Sequence, residues 1–202
     1  MDGMPARKNP YARADRFTRA AKEAGFPARS VFKLEEIDRR TRLFRAGMRV
    51  LDLGAAPGSW SMYSAAKIGS SGRLVAVDTE PLAIAVPPNA VFVQGDALAL
   101  ESDALARFAP YDVVLSDMAP KTTGSRITDQ TRSFELFLRA LAVAADLGAR
   151  GGAFVGKIFM SDDLSAARAE LKRIYQTERL IRPEGTRAVS TELFVVGLGK
   201  RS

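Results

Sequence analysis

VLDLGAAPGSW, residues 50–60, is the stretch that decides how the rest of the chain is read. An apolar run carrying one acid passes into two glycines around a proline, the layout of a strand that turns sharply at its end to hold a ligand. A phosphate-cradling P-loop needs a lysine and a hydroxyl residue after its last glycine. Here Gly58 is followed by Ser59 and Trp60, which disfavours nucleotide hydrolysis. The dinucleotide fingerprint needs a middle glycine where the backbone approaches a pyrophosphate, and Gly54-Ala55-Ala56-Pro57-Gly58 offers alanine instead. The loop therefore suits an adenosine-like ligand without a pyrophosphate, with dinucleotides and other nucleotides as the competing readings.

The segments around the loop alternate. Residues 11–24 and 29–44 have helical composition and spacing, with Val31, Leu34 and Ile37 forming an apolar stripe and Gly47 closing the second segment. Strands are predicted over 49–53, 73–79, 91–96, 111–118, 152–159, 178–183 and 192–200, and helices over 59–69, 128–148 and 162–175. Strands alternating with helices predict a Rossmann-like, doubly wound, mostly parallel seven-stranded α/β sheet. The last two strands are joined by only eight residues, too few for a parallel crossover, so they should form an antiparallel C-terminal hairpin.

In such a sheet, ligands bind outside the C-terminal ends of the strands. Asp52, Asp78, Asp96, Asp117 and Lys157 fall at or near those ends. Any one acid there could simply cap the next helix; five polar residues at successive ends suggest a site. Asp78, 20 residues after Gly58, is placed to accept hydrogen bonds from ribose hydroxyls, and Asp96 could take an adenine amino group. An adenosine bearing a small charged tail is S-adenosylmethionine.

Composition limits the chemistry. The chain of 202 residues has no cysteine and no histidine, which removes disulfides, thiolate metal sites and the commonest general base. With no ligand cluster, no metal is expected. No apolar run is long enough for a membrane span, and the N-terminus has no signal-peptide pattern, so a cytosolic protein is expected. Net charge is +7, and residues 1–49, with 13 Lys/Arg against 6 Asp/Glu, carry the whole excess. A basic segment of this kind points to a polyanion, most often nucleic acid, although a solvated helix face or an acidic membrane would also use it.

At this point a resemblance is plain. ARSVFKLEEID (28–38), VLDLGAAPGSW (50–60), VDTEP (77–81), QGDA (94–97), VVLSDMAP (113–120), GKIF (156–159) and RAVSTELFVVG (187–197) resemble, in order, the motifs of the FtsJ-type ribose 2′-O-methyltransferases of large-subunit ribosomal RNA. Ser59 departs from the pattern, standing where many relatives have glycine, and the basic N-terminal segment is variable in the family. The resemblance implies the class I S-adenosylmethionine-dependent fold and a Lys-Asp-Lys-Glu catalytic tetrad, which falls on Lys33, Asp117, Lys157 and Glu192. It implies donor contacts from Asp52, Gly54, Ala55, Pro57, Gly58, Ser59, Trp60, Asp78, Asp96, Ala97 and Asp117. It also divides the chain into a basic, site-covering RNA-binding segment at 1–48 and a donor-binding methyltransferase domain at 49–202.

The tetrad makes chemical sense. A ribose hydroxyl is a poor nucleophile, so the enzyme must hold its oxygen in line with the methyl carbon and assist loss of the proton. Without histidine a lysine is the candidate, and its unperturbed pKa of about 10.4 would need lowering by burial or a neighbouring cation. Lys157, set amid apolar residues in AFVGKIF, is assigned to activating the 2′-hydroxyl, Asp117 to positioning it, and Lys33 to covering the site. Glu192 could equally be an edge charge. Expected RNA contacts are Arg7, Lys8, Arg13, Arg16, Arg19 and Arg29 in the basic segment, Lys121 and Arg126 in the polar loop after Asp117, and Arg187 beside Ser190 and Thr191. Trp60, Tyr63, Phe26 and Phe32 read as packing residues rather than base-stacking ones. The resemblance implies a uridine of large-subunit ribosomal RNA as the acceptor, in the ribosomal particle, and the protein itself is expected to be a monomer that does not bind membranes. The alternatives are another RNA such as transfer RNA, a protein or small-molecule acceptor, or a non-catalytic ribosome-assembly factor on the same fold.

Overall fold

The computed structural model describes residues 16–97, 99, 102–184, 186 and 190–202. Residues 11–15 of the first predicted helix, and Arg7, Lys8, Arg13 and Arg187, lie outside them. The strands are β1 (Arg49–Leu53), β2 (Arg73–Asp78), β3 (Ala90–Gln94), β4 (Tyr111–Ser116), β5 (Gly148–Phe159), β6 (Tyr175–Ile181) and β7 (Glu192–Lys200). They form one sheet in the order β3-β2-β1-β4-β5-β7-β6. β1 to β5 are parallel, and β7 runs antiparallel to both β5 and β6. The short final connection does force an antiparallel pair. However, β7 inserts between β5 and β6, which leaves β6 at the edge.

The helices are α1 (Arg16–Glu23), α2 (Val31–Thr41), α3 (Ser59–Ile68), α4 (Ser102–Ala106), α5 (Arg126–Leu147) and α6 (Leu164–Ile174). They divide between the two faces of the sheet. Val31, Leu34 and Ile37 of α2, with Trp60, Tyr63 and Ile68 of α3, pack on Val50, Leu74, Val113, Val155, Phe194 and Val196. Phe137, Ala140, Leu141 and Ala144 of α5, with Ala167 and Leu171 of α6, pack on Leu51, Leu53, Val75, Val114, Phe154 and Val195. Successive strand residues alternate between these two clusters, as the period of two requires. The predicted stripe of α2 is wholly buried, and truncating Leu34 or Ile37 to alanine would cost about 2–5 kcal/mol.

Several boundaries differ from expectation, and β6 starts at Tyr175, three residues earlier than predicted. α2 ends at Thr41 rather than continuing to Phe44, because Arg42 turns into the left-handed region at φ 53°. The Asp38 carboxylate accepts the N–H groups of Leu43 and Phe44 at 2.9 and 3.2 Å and draws the chain out of the helix. β5 begins at Gly148, earlier than predicted, with a register shift between Tyr111 and Val113 of its partner. The short α4 carries too few residues for a periodic signal. Among the described residues, no helix is long and apolar enough to cross a membrane.

Candidate active site

The end of β1 supplies the donor-side loop. Gly54 has φ +78°, and a Cβ there would come within 2.7 Å of the Met118 side chain and 3.0 Å of its backbone nitrogen. Only glycine combines that conformation with that approach. The Gly54 and Ala55 N–H groups donate to the Val77 carbonyl at 2.9 and 3.1 Å, which pins the loop to the end of β2. The Ala56 N–H donates to Asp78 Oδ2 at 2.8 Å, and the Glu80 N–H to Asp78 Oδ1 at 2.9 Å.

These contacts frame a pocket of about 340 Å³ lined by Gly54, Ala56, Val77, Asp78, Asp96, Ala97, Asp117 and Met118, among others. Its charged lining is three carboxylates, from Asp78, Asp96 and Asp117. Such a wall repels phosphate and suits a ligand with hydroxyl and amino donors and a net positive tail. S-adenosylmethionine has those groups, so the residues present fit it.

Not every residue expected at the donor lines this pocket. Asp52 is 0% exposed and points the other way along the strand alternation, toward α3, where Ser61 Oγ donates to its Oδ2 at 2.7 Å. Burial pushes its carboxyl up to about 7, and the Ser61 hydrogen bond opposes that only in part. Ala55 is buried, while Pro57 accepts from the Ala83 N–H at 3.0 Å and Gly58 packs against Ile84. Ser59 and Trp60 turn toward Ala28 and Ser30. Ala56, which does line the pocket, was missed, since an alanine carries no chemical signal in sequence.

On the α2 side a second cleft, of about 470 Å³, is lined by Arg29, Lys33, Thr122, Arg126, Asp129, Gln130, Phe159, Ser190, Thr191 and Glu192. Strand geometry links it to the first pocket. Ser116 pairs with Gly156, so Asp117 follows β4 beside Lys157 on β5. Lys157 faces Phe194 and Phe159 faces Glu192 in the antiparallel β5–β7 register, which puts Lys157 and Glu192 on one face. Lys157 Nζ lies 2.9 Å from Asp117 Oδ1 and also donates to the Asp117 carbonyl oxygen. Lys33, reaching across from α2, is ion-paired with Glu192. The four residues of the expected tetrad therefore form two ion pairs, one with Asp117 on the wall of the donor pocket and one on the wall of the cleft.

The cleft wall formed by the loop after Asp117 is ordered from α5. Asp129 Oδ1 accepts the Thr123 N–H at 2.8 Å and the Thr123 hydroxyl at 2.9 Å, and the Thr123 amide holds the Asp129 carboxyl below the usual carboxylate range. Gln130 donates to the Met160 carbonyl, and the Met160 N–H donates to the Thr191 carbonyl at 2.8 Å. Of the expected RNA contacts, Arg29 and Arg126 line this cleft. Lys121 instead lies in a separate depression with Arg132, Glu135 and Arg139. Arg16 and Arg19 are exposed on α1, with the Arg16 guanidinium 4.8 Å from the Phe17 ring. Trp60 and Tyr63 are buried, and Phe32 packs on Phe17 with ring centroids 5.8 Å apart. Thr122, Asp129, Gln130 and Phe159 were not anticipated, because their shared cleft exists only once separate segments have converged. Among the described residues, no group of acids forms a metal site.

The fold and the sequence both have relatives. The chain is 66% identical to ribosomal RNA large subunit methyltransferase E of Sorangium cellulosum over 96% of its own length and 92% of that protein's. It is 46% identical to the protein of the same name from Bdellovibrio bacteriovorus, over 95% and 99% of the two chains. Among solved structures, a ribosomal RNA methyltransferase of Plasmodium falciparum superposes with a TM-score of 0.76 at 21% identity, covering 87% of this chain and 98% of that one. Fibrillarin of Aeropyrum pernix, solved with S-adenosyl-L-methionine, gives a TM-score of 0.56 at 16% identity over 76% and 67% of the chains. The model of the FtsJ-like methyltransferases matches residues 26–200, and the chain belongs to that family.

Proposed function

We propose that this protein transfers a methyl group from S-adenosylmethionine to the 2′-hydroxyl of a ribose in large-subunit ribosomal RNA. The observation that carries the proposal is buried Lys157 paired with Asp117 on the wall of an acidic donor pocket, with the Lys33–Glu192 pair on the wall of a basic-rimmed cleft. Relatives named as large-subunit ribosomal RNA methyltransferases over nearly the whole chain support the choice of acceptor.

When bound, S-adenosylmethionine supplies an electrophilic methyl on a sulfonium, whose sulfur keeps the electron pair as the carbon leaves. The residues of this chain do the rest. Gly54, Asp78 and Asp96 hold the donor, with Asp78 also fixing the loop through Ala56. Lys157 presents its nitrogen to the 2′-hydroxyl, steers that oxygen toward the methyl carbon and, in its neutral form, takes the hydroxyl proton as the oxygen–carbon bond forms and the carbon–sulfur bond breaks. Asp117 fixes the lysine. Lys33, held by Glu192, closes the acceptor side and adds a second cation to the site. Arg29 and Arg126 hold the phosphates flanking the acceptor ribose, and Ser190 and Thr191 offer hydroxyls to its sugar edge. Residues 1–48 serve as the RNA-binding cover and 49–202 as the donor domain. The protein acts as a cytosolic monomer on the ribosomal particle.

Mapping 2′-O-methyl groups in ribosomal RNA from cells with and without the protein tests this. A single large-subunit position that loses its methyl on deletion and regains it with the wild type, but not with Lys157→Ala, is the expected result. An unchanged map would refute it, and rescue by the inactive variant would favour an assembly role.

A further inference from the structure

The side chains of the two residues that follow Gly58 turn away from the donor pocket. Ser59 is 1% exposed, and its hydroxyl clasps both backbone groups of one distant residue: it accepts the Ala28 N–H at 2.8 Å and donates to the Ala28 carbonyl at 3.0 Å. The Trp60 indole N–H donates to the Ser30 carbonyl at 2.9 Å, and its ring lies 5.6 Å from that of Phe194. The same Ser30 carbonyl accepts the Lys33 N–H at 3.1 Å in the turn that starts α2. Ala28 and Ser30 bracket Arg29, and Lys33 lies one turn on. Both Arg29 and Lys33 line the acceptor cleft.

The chain between α1 and α2 thus has its place set by side chains of α3. A backbone N–H or carbonyl that loses its partner in a partly buried site is destabilising, so the Ser59 hydroxyl favours one position for Ala28. The chain from Gly54 to Trp60 serves two sites in sequence. Gly54 and Ala56 shape the donor pocket, and Ser59 and Trp60 set the wall from which Arg29 and Lys33 project.

We infer that the side chains of Ser59 and Trp60 are positioning groups for the RNA, acting through Arg29 and Lys33. The inference rests on the reading of the cleft as the RNA site. It assigns a structural task to Ser59, which departs from the family pattern. It also predicts that donor affinity and RNA affinity respond separately to changes at these two neighbouring residues.

The test measures binding, so that it does not depend on turnover. In vitro transcribed large-subunit ribosomal RNA and S-adenosylhomocysteine are titrated separately into the wild type, Ser59→Ala, Trp60→Phe, and the same two variants in an Arg29→Ala/Lys33→Ala background. Ser59→Ala is expected to weaken RNA binding about five- to tenfold while donor-product affinity stays within about twofold. Trp60→Phe keeps the ring against Phe194 and loses only the N–H bond, so a loss of about threefold is expected, and this variant also serves if Ser59→Ala folds poorly. In the doubly substituted background both effects should shrink to below about twofold, because the groups they position are gone. Trp60 is the only tryptophan of the chain, so a red shift of its emission in Ser59→Ala reports loosening of the clasp directly. RNA affinity equal to the wild type in both variants, a loss that persists undiminished in the background, or a parallel loss of donor-product affinity would each overturn the inference. Failure of the wild type to bind RNA at all would instead overturn the reading of the cleft.

Discussion

Lys157 and Asp117 are joined twice, by a 2.9 Å contact between ammonium and carboxylate and by a hydrogen bond from the same ammonium to the Asp117 carbonyl oxygen. Lys157 is 8% exposed, and a lysine so placed is costly unless its charge is met. Such an arrangement contributes little net stability compared with an apolar pair of the same shape, so its value lies in fixing one nitrogen beside Asp117 on the wall of the donor pocket.

Lys157→Met removes that nitrogen and keeps an unbranched side chain. The rate of methyl transfer at saturating RNA is expected to fall by about 10²–10⁴-fold. S-adenosylhomocysteine affinity, read by calorimetry, should stay within about twofold, since Lys157 is outside the donor pocket lining. A rate within tenfold of the wild type would remove Lys157 from the reaction.

Asp78 holds the donor loop and faces the donor. Asp78→Ala should weaken S-adenosylhomocysteine binding by about 10- to 100-fold, the range for hydrogen bonds to a charged group. Asp78→Asn keeps an acceptor for the Ala56 N–H, now 2.8 Å from Oδ2, and should recover part of the loss. Equal affinities in wild type and Asp78→Ala would show that the pocket holds something else.

The buried Asp52 makes stability depend on pH. Its folded-state carboxyl is raised to about 7 from an ordinary 3.8, so the native state binds the proton more tightly than the unfolded state. The stability this group contributes is complete below pH 4 and is lost as pH rises toward 7. Between pH 5 and 8, denaturation of the wild type should lose about 3 kcal/mol relative to Asp52→Asn, which cannot ionise there. Parallel pH profiles for the two proteins would show that Asp52 is ionised at neutral pH.

Arg126 is expected to act as a phosphate contact. Arg126→Ala should raise the RNA KM several-fold, leave the rate at saturation nearly unchanged, and lower the slope of log affinity against log salt by about one. An unchanged salt slope would place Arg126 off the RNA.

Much of this site was legible in the sequence, for a topological reason. In a parallel sheet every strand end faces the same rim, so Asp78, Asp96, Asp117 and Lys157 could be brought together before any contact was known. Asp52 shows the limit of that rule. It stands one residue before the end of β1, and the two-residue alternation turns it under α3 instead of into the pocket. The eight-residue connection before β7 fixed its direction but not its neighbour, because insertion between β5 and β6 depends on which apolar faces are left to cover. The early end of α2 hinges on Asp38 bonding backbone five and six residues later, which helical periodicity does not register. The Lys33–Glu192 pair and the Ser59–Ala28 clasp join distant parts of the chain. For the first the family motifs supplied the two residues but not their pairing, and for the second the sequence supplied nothing.

The central claim is the atom that receives the methyl. Large ribosomal subunits from cells lacking the protein can be incubated with it and methyl-labelled S-adenosylmethionine, and the RNA digested to nucleosides for mass spectrometry. The account predicts label on the ribose of a single 2′-O-methylated nucleoside, absent when Lys157→Met replaces the wild type. Label on a base, or on ribosomal protein with none on ribose, would contradict it.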